Sequence, residues 1–288
     1  LEMAENLVNH GLAVTVVDQA DQVFGSIDKD MAAHVQDGVE AHGIRVSLST
    51  CVEEVVTDGA GRPVAVRTEH GELPAHHVVI GAGARPEVGL AEAAGLAIGD
   101  TGAICVDDGQ RCPGHDGVFA AGDCVESHHR VLGRPANVQL GTHANKQGRI
   151  AGTNAAGGDA RFPGVIGTAV SRIAKYEVGR TGITEAEAEA AGLEVAAATI
   201  RHQTRSGYFP GAGPIWVKLV AEAGTGRLLG GQIVGVEGAA KRIDVLATCV
   251  WTGMPVDEIS LLDLSYAPPF SPVFDPVLVA ARATAKAL

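Results

Sequence analysis

Residues 117–124, GVFAAGDC, place a glycine and a carboxylate, Gly122 and Asp123, directly after the apolar run Val118 to Ala121. A glycine lets the backbone approach a ligand closely, and a carboxylate accepts hydrogen bonds from sugar or sugar-alcohol hydroxyls. Ligands of open α/β sheets lie beyond the carboxyl ends of the strands. The pair therefore points to a polar cofactor, although Gly-Asp alone is equally a turn signal. A second acid, Asp18, ends LAVTVVD (12–18), which follows the amphipathic segment LEMAENLVNHG. Helix, glycine, strand and terminal acid make the second half of a dinucleotide-binding βαβ unit, in which the acid accepts from the adenosine ribose hydroxyls. No basic residue flanks Asp18, which favours NADH over NADPH; a solvated strand-end acid is the plainer alternative.

Positioning these residues requires the elements around them. In LEMAENLVNHG, Leu1, Met3, Ala4, Leu7 and Val8 form one apolar stripe and Gly11 is the stop. IDKDMAAHVQDGVEAHG (27–43) predicts a helix capped by Asp28 and ended by Gly43, with the strand IRVSLS (44–49) after it. CVEEVVTD and PVAVRTEHG form a hairpin around Asp58-Gly59-Ala60-Gly61. VVIGAGARPE (78–87) reads as a buried return strand stopping at Gly81, Gly83, Arg85 and Pro86. ICVD and VFAA read as two further strands around Cys112-Pro113-Gly114. NVQLGTHANKQGRIAGTNAAGG (137–158) predicts a helix from Gly141 and Thr142, with Thr142 as a favoured cap, to Gly157.

Beyond residue 160 the pattern changes. GTAVSRIAKYEVGRTG holds two strands, Thr184 and Glu187 make a capping box, and Gly192 ends the helix that follows. EVAAATI is a strand, WVKLVAEAGTGRLLGGQIVG a hairpin, and GAAKRIDVLATCVWTGM an apolar helix. An antiparallel sheet with helices on one face is an α+β domain.

Taken together, GVFAAGDC, VVIGAGARPE and the helix after Gly141 resemble the FAD-dependent pyridine nucleotide-disulfide oxidoreductases, and the resemblance spans the chain. It implies that Gly122 and Asp123 contact the FAD ribityl chain. It also implies that Gly141, Thr142, His143 and Ala144 open a helix whose positive end faces the flavin pyrimidine, where electron density builds up. Gly83 lies in the returning glycine turn, and Glu2 reaches the nicotinamide carboxamide; on sequence alone Glu2 is an ordinary first-turn acid. The fold implied is α/β: a Rossmann-like NAD domain over 1–86, the C-terminal part of an FAD domain over 87–158 and an α+β dimerisation domain over 159–288. Leu1 is not an initiator methionine, and the family's Gly-rich turn would stand just before Leu1-Glu2. The resemblance thus implies a chain truncated inside the NAD domain, without the FAD-binding segment that carries the redox cysteine.

YAPPFS, from Tyr266, lacks the His-Pro pair of glutathione-reductase-like members and is similar to coenzyme A-disulfide reductases, NADH oxidases and NADH peroxidases. Tyr208 and Tyr266 match the tyrosines that the first group presents to the partner subunit, where a phenol donates to a developing thiolate. The match is partial, since Tyr208-Phe209 stands for the usual Tyr-Tyr pair. Read without the family, Tyr208 is a loop aromatic and Tyr266 a packing residue. The implied activity is NADH-linked, FAD-dependent reduction of a disulfide or persulfide such as coenzyme A disulfide by a homodimer. The alternatives are an NADH oxidase or peroxidase and a non-catalytic fragment or dimerisation module.

Composition bounds the rest. The 288 residues allow about two domains at ~100–200 residues each. A net charge of −12 weighs against nucleic acid, and no apolar run is long enough for a membrane, so the cytoplasm is the expected location. Cys51, Cys105, Cys112, Cys124 and Cys249 form no CxxC, and each reads as a small buried apolar residue. His115, His128 and His129 have no ligand spacing and read as solvated loop residues, so no metal is expected.

Overall fold

The computed structural model describes residues 1–288 and divides into two compact units, residues 1–81 with 170–288 and residues 82–169. In the first unit α1 (Glu2–Asn9) ends at Gly11, whose φ of +84° only glycine adopts readily. Next come β1 (Thr15–Val17), α2 (Lys29–Ala41) and β2 (Arg45–Ser47), with β1 and β2 parallel and Thr15 opposite Arg45. This is the predicted βαβ turn. Met3 departs from the expected stripe and is exposed, because α1 packs only through Ala4 and its neighbours. The meander β3 (Val52–Thr57), β4 (Pro63–Thr68), β5 (Gly71–Pro74) is antiparallel. Its first turn is held by Asp58, which accepts from the amides of Ala60 at 2.9 Å and Arg62 at 3.0 Å.

The predicted return strand does not form: residues 78–87 are irregular, with Val79 and Ile80 exposed. An apolar run becomes a buried strand only where a neighbouring strand supplies hydrogen bonds, and none lies beside it. ICVD and VFAA do not become strands either, because each meets its neighbours at single residues only. Residues 82–169 hold α3 (Gly89–Ala93), β6 (Ser127–His129), β7 (Arg134–Ala136) and α4 (Gly141–Ala155). Ile104 and Phe119 make only isolated bridges, to Ile98 and Val125 and to Arg111. The small core of this unit is Ala91, Ile104, Cys112 and Val125. Thr142 does not cap α4: Leu140 is the cap residue in extended conformation, and Thr142 lies inside the first turn. Gly157, at φ +89°, ends the helix as predicted.

The remaining elements return to the first unit: β8 (Ala169–Ile173), β9 (Tyr176–Gly182), α5 (Glu185–Ala190), β10 (Val195–Gln203), β11 (Pro214–Glu222) and β12 (Leu228–Gly235). A 3₁₀ turn over Ala240–Arg242 leads into α6 (Ile243–Thr252), α7 (Val256–Ile259) and α8 (Pro276–Ala285). The sheet order is β10-β11-β12-β9-β8. The capping box is complete: the Glu187 amide donates to Thr184 Oγ1 at 3.0 Å and the Thr184 amide to Glu187 Oε2 at 2.8 Å. Helices cover both faces of this sheet, not one. On one face Gly179 and Gly231 admit Ile243 and Leu246 of α6. On the other, Met31, Val35 and Val39 of α2 pack with Ile173, Tyr176, Val178 and Val234. Every residue of β12 is buried, which requires cover on both sides.

Lys218 makes the polar tie between α2 and the sheet. Its ammonium lies 2.8 Å from Asp30 Oδ1, 2.5 Å from Glu185 Oε2 and 3.3 Å from Asp28 Oδ2. Asp28 caps α2 by position only. Its carboxylate instead accepts from Gln232 Nε2 at 2.5 Å and from the Glu185 amide at the start of α5 at 3.1 Å.

Candidate cofactor and substrate sites

Gly122, at φ +92°, turns the chain sharply after Ala121 and packs against Ala144 of α4. Its amide donates to Gln147 Oε1 at 2.9 Å, while Gln147 Nε2 donates to Ser127 Oγ at 2.6 Å. The Asn137 amide group donates to the carbonyls of Asp123 at 2.8 Å and Val125 at 2.9 Å. Two side chains thus pin the loop backbone while the Asp123 carboxylate faces solvent, accepting no hydrogen bond. The N-terminus of α4 has no side-chain cap, so amides of its first turn, at Gly141 and Thr142, point outward with the positive end of the helix dipole. His143 is buried beneath them, its Nδ1 3.4 Å from the Val138 carbonyl. Burial pushes its pKa down, with Lys146 adding to the fall and the Val138 hydrogen bond opposing it. The structure brings Gly122, Asp123, Gly141, Thr142, His143 and Ala144 together. A glycine-turned loop, an open carboxylate and an uncapped helix end fit a flavin with its polyhydroxyl chain.

Gly83, at φ +84°, is exposed, and a Cβ there would meet nothing within 4 Å. It precedes a cleft of about 650 Å³ lined by Arg85, Thr101, Arg134, Asn137 and Gln139, so Asn137 both lines the cleft and holds the Asp123 loop. Sequence reasoning missed Asn137 and Gln147. The signal lay in α4, a weakly apolar helix whose buried positions, His143, Gln147 and Asn154, are all polar. Buried polar groups need partners, and a polar inward face marks a loop being held.

In the other unit, Asp18 follows β1 and is exposed; its Oδ1 accepts from the Ala20 amide at 2.9 Å. Its backbone is fixed by the Ser47 carbonyl at 3.0 Å and the Thr50 amide at 2.9 Å. Lys29, the nearby cation, is taken by Asp21 at 2.5 Å. Glu2 accepts a short hydrogen bond from Ser171 Oγ, and Glu5 accepts from the Ala174 amide at 2.7 Å, so both acids dock α1 on the β8–β9 turn.

Tyr208 and Tyr266 lie on segments that the fold joins. The Ser206 amide donates to the Pro268 carbonyl at 3.2 Å. Arg242 binds the Thr204 carbonyl at 2.7 Å, the Phe270 carbonyl at 2.9 Å and Asp275 Oδ2 at 3.0 Å. Tyr208 is 79% exposed, Tyr266 is exposed beside Phe270 and Phe274, and neither hydroxyl has a partner. Arg242 is the residue that sequence reasoning did not single out, since a helix-start arginine has no distinguishing pattern.

The cysteines divide. Cys112 and Cys249 are buried, Cys105 and Cys124 half-buried, and Cys51, against expectation, is exposed because it directly precedes the outer strand β3, whose own first residues are exposed. Burial pushes the Cys249 thiol up to about 11, with Glu258 adding to the rise. Burial also raises Cys105 and Cys112, the first with help from Glu126 and the second from Cys124. High thiol pKa values oppose thiolate chemistry. His129 is buried rather than solvated, and His115 Nε2 lies 3.2 Å from the Gly95 carbonyl. No three His, Cys, Asp or Glu side chains come together as a metal site, and no helix is long and apolar enough to cross a membrane.

With βαβ turn, glycine-acid loop and clad antiparallel sheet in place, the chain belongs to the pyridine nucleotide-disulphide oxidoreductase family. The family profile matches residues 1–148, and that of the family's dimerisation domain matches residues 168–277. Enzymes of this family are flavin-dependent NAD(P)H oxidoreductases. The chain is 38% identical over 283 residues to an NAD(P)H sulfur oxidoreductase (CoA-dependent) from Pyrococcus furiosus, covering 98% of this chain and 63% of that protein. It is 36% identical over 289 residues to an NADH oxidase from Methanocaldococcus jannaschii, covering 100% of this chain and 63% of that one. The solved structure of a NAD-dependent persulfide reductase from A. fulgidus superposes with a TM-score of 0.94 at 41% identity, over 98% of this chain and 52% of that one. The chain thus spans somewhat under two thirds of the relatives it matches.

Proposed function

We propose that this chain is the nucleotide-binding and dimerisation part of an FAD-dependent, NADH-linked reductase of disulfides or persulfides, with coenzyme A disulfide as the model substrate. The observation that carries this is the pinned Gly122–Asp123 loop beside the uncapped start of α4, an arrangement suited to a flavin. In this reading residues 1–86 bind NAD, 87–158 complete the FAD domain and 159–288 form a homodimer, in the cytoplasm. Asp123 accepts from the ribityl hydroxyls, and the amides of Gly141 and Thr142 favour added negative charge at the pyrimidine end. Asp18 accepts from the adenosine ribose, and Glu2, released from Ser171, meets the carboxamide. Bound flavin supplies the two-electron step between NADH and a thiol-disulfide centre. Burial disfavours the thiolate at Cys105, Cys112 and Cys249, and by the family resemblance none of the five cysteines holds the redox position, which we assign to the length of the relatives that this chain does not cover. Tyr208 and Tyr266 present phenols to the sulfur substrate, consistent with the similarity to the sulfur and persulfide reductases above.

The NADH oxidase among the relatives supports a second reading, in which oxygen or peroxide is the acceptor. The test is anaerobic titration with NADH of a flavin-loaded protein that carries this chain together with the redox thiol, followed by coenzyme A disulfide or oxygen. Bleaching by NADH and recovery with the disulfide supports the first reading; recovery only with oxygen or peroxide supports the second. No flavin binding, or no bleaching, sinks both.

A further inference from the structure

One row of polar side chains crosses the face of the five-stranded sheet that carries α2. In register, Arg180 of β9 stands opposite Gln232 of β12, Gln232 opposite Lys218 of β11, and Lys218 opposite Thr199 of β10. The row beside it, through Val178, Val234 and Trp216, belongs to the apolar core under α2. Gln232 and Lys218 are only 1% and 4% exposed, a depth at which polar groups are costly unless each finds a partner.

All four reach one short segment, residues 26–30, where the chain enters α2. Arg180 Nη1 donates to the Ser26 carbonyl at 2.7 Å. Gln232 Oε1 accepts from the Asp28 amide at 2.7 Å, and its Nε2 donates to the Asp28 carboxylate. Lys218 and Thr199 both donate to the Asp30 carboxylate at 2.8 Å. This segment closes the loop that begins at Asp18. The other end of that loop is tied beside β2, where the Asp18 amide donates to the Ser47 carbonyl at 3.0 Å and the Ser49 amide to the Ala20 carbonyl at 2.8 Å. Met31, Val35 and Val39 already press α2 onto the sheet, but apolar burial has no direction, whereas hydrogen bonds fix distance and angle. An apolar row would hold the helix as firmly as these charges do. Four polar anchors in register add a defined position for the first residues of α2. We propose that Arg180, Gln232, Lys218 and Thr199 are positioning residues for the nicotinamide dinucleotide. Acting through residues 26–30, they set the loop from which Asp18 meets the adenosine ribose, so the antiparallel sheet governs affinity at the nucleotide site. The inference rests on the role proposed above for Asp18.

The test compares NADH with reduced nicotinamide mononucleotide, which lacks the adenosine half, on the flavin-loaded protein that carries this chain together with the redox thiol. Expected in Arg180→Met is a KM for NADH raised about tenfold, with kcat and the KM for the mononucleotide unchanged. Calorimetry with NAD⁺, which cannot reduce the flavin, should show the same rise in Kd. Arg180→Lys, which keeps a donor for the Ser26 carbonyl, should return the NADH KM to within about threefold of wild type. A loosened fold would raise both KM values alike; that result, or an untouched NADH KM, overturns the proposal. If Arg180→Met fails to fold, Thr199→Val, at an exposed position of the edge strand β10, should raise the NADH KM about threefold with the same selectivity. No change in that variant overturns the proposal as well. A wild type that uses both reductants equally, or neither, overturns the reading of Asp18 and the proposal with it. A wild type that prefers NADH, with variants that keep the preference, overturns the proposal alone and leaves the proposed function standing.

Discussion

The five-stranded sheet and residues 82–169 reach order by different physics. In the sheet, β12 is buried along its whole length between α6 and α2, and glycines stand where side chains or backbone leave no room. In residues 82–169 the apolar cluster holds four buried residues, regular strands are short, and glycines at positive φ such as Gly83 and Gly122 set the path. The first region is specified by volume, the second by backbone conformation and a few polar pins. A scaffold must resist change, whereas a ligand-shaped loop must leave polar groups such as the Asp123 carboxylate open.

Gly230→Ala attacks the volume-limited region most directly: its Cβ would sit 1.8 Å from the Ile183 carbonyl oxygen. A loss of about 4 kcal/mol or more in urea unfolding is expected, and near-wild-type stability would break the contrast. Lys218→Met should cost about 3 kcal/mol, because it strands Asp28, Asp30 and Glu185 around an uncharged side chain. The same cluster sets a pH dependence. Burial alone pushes the Asp30 carboxyl up, but hydrogen bonds from Lys218 and Thr199 outweigh it and leave the pKa lowered. Its contribution is present above the unfolded carboxylate pKa of about 3.9 and is lost as pH falls through the folded value. Acid melts of wild type and Lys218→Met should therefore converge.

Asp123→Ala probes the other region. It should leave the melting temperature alone while weakening flavin binding about 10–100-fold, read by flavin fluorescence quenching. A stability loss with unchanged flavin affinity would make Asp123 a structural residue. Thr184→Ala, which removes half of the capping box, should cost about 1 kcal/mol by the same urea assay. His34 and His143 sharpen the comparison at mild acidity. Burial lowers both pKa values, so stability present above the unfolded histidine value of about 6.5 is lost as pH falls, from one site in each unit.

What local chemistry governs was legible in the sequence: the βαβ turn, the meander, the Thr184–Glu187 box, the stops at Gly11, Gly43, Gly157 and Gly192, and the Gly122–Asp123 loop before α4. Caps, turns and periodicity act over a few residues, so the amino-acid order determines them. Tertiary structure decided the rest. Whether VVIG and ICVD become strands depends on a neighbour to bond, and whether the sheet is clad on one face or two depends on where α2, far away in sequence, comes to lie. The pins Asn137, Gln147 and Arg242 act across 12 to 38 residues, on backbone groups that no spacing rule identifies. Those contacts are settled only when the chain closes on itself and every buried polar group must find a partner.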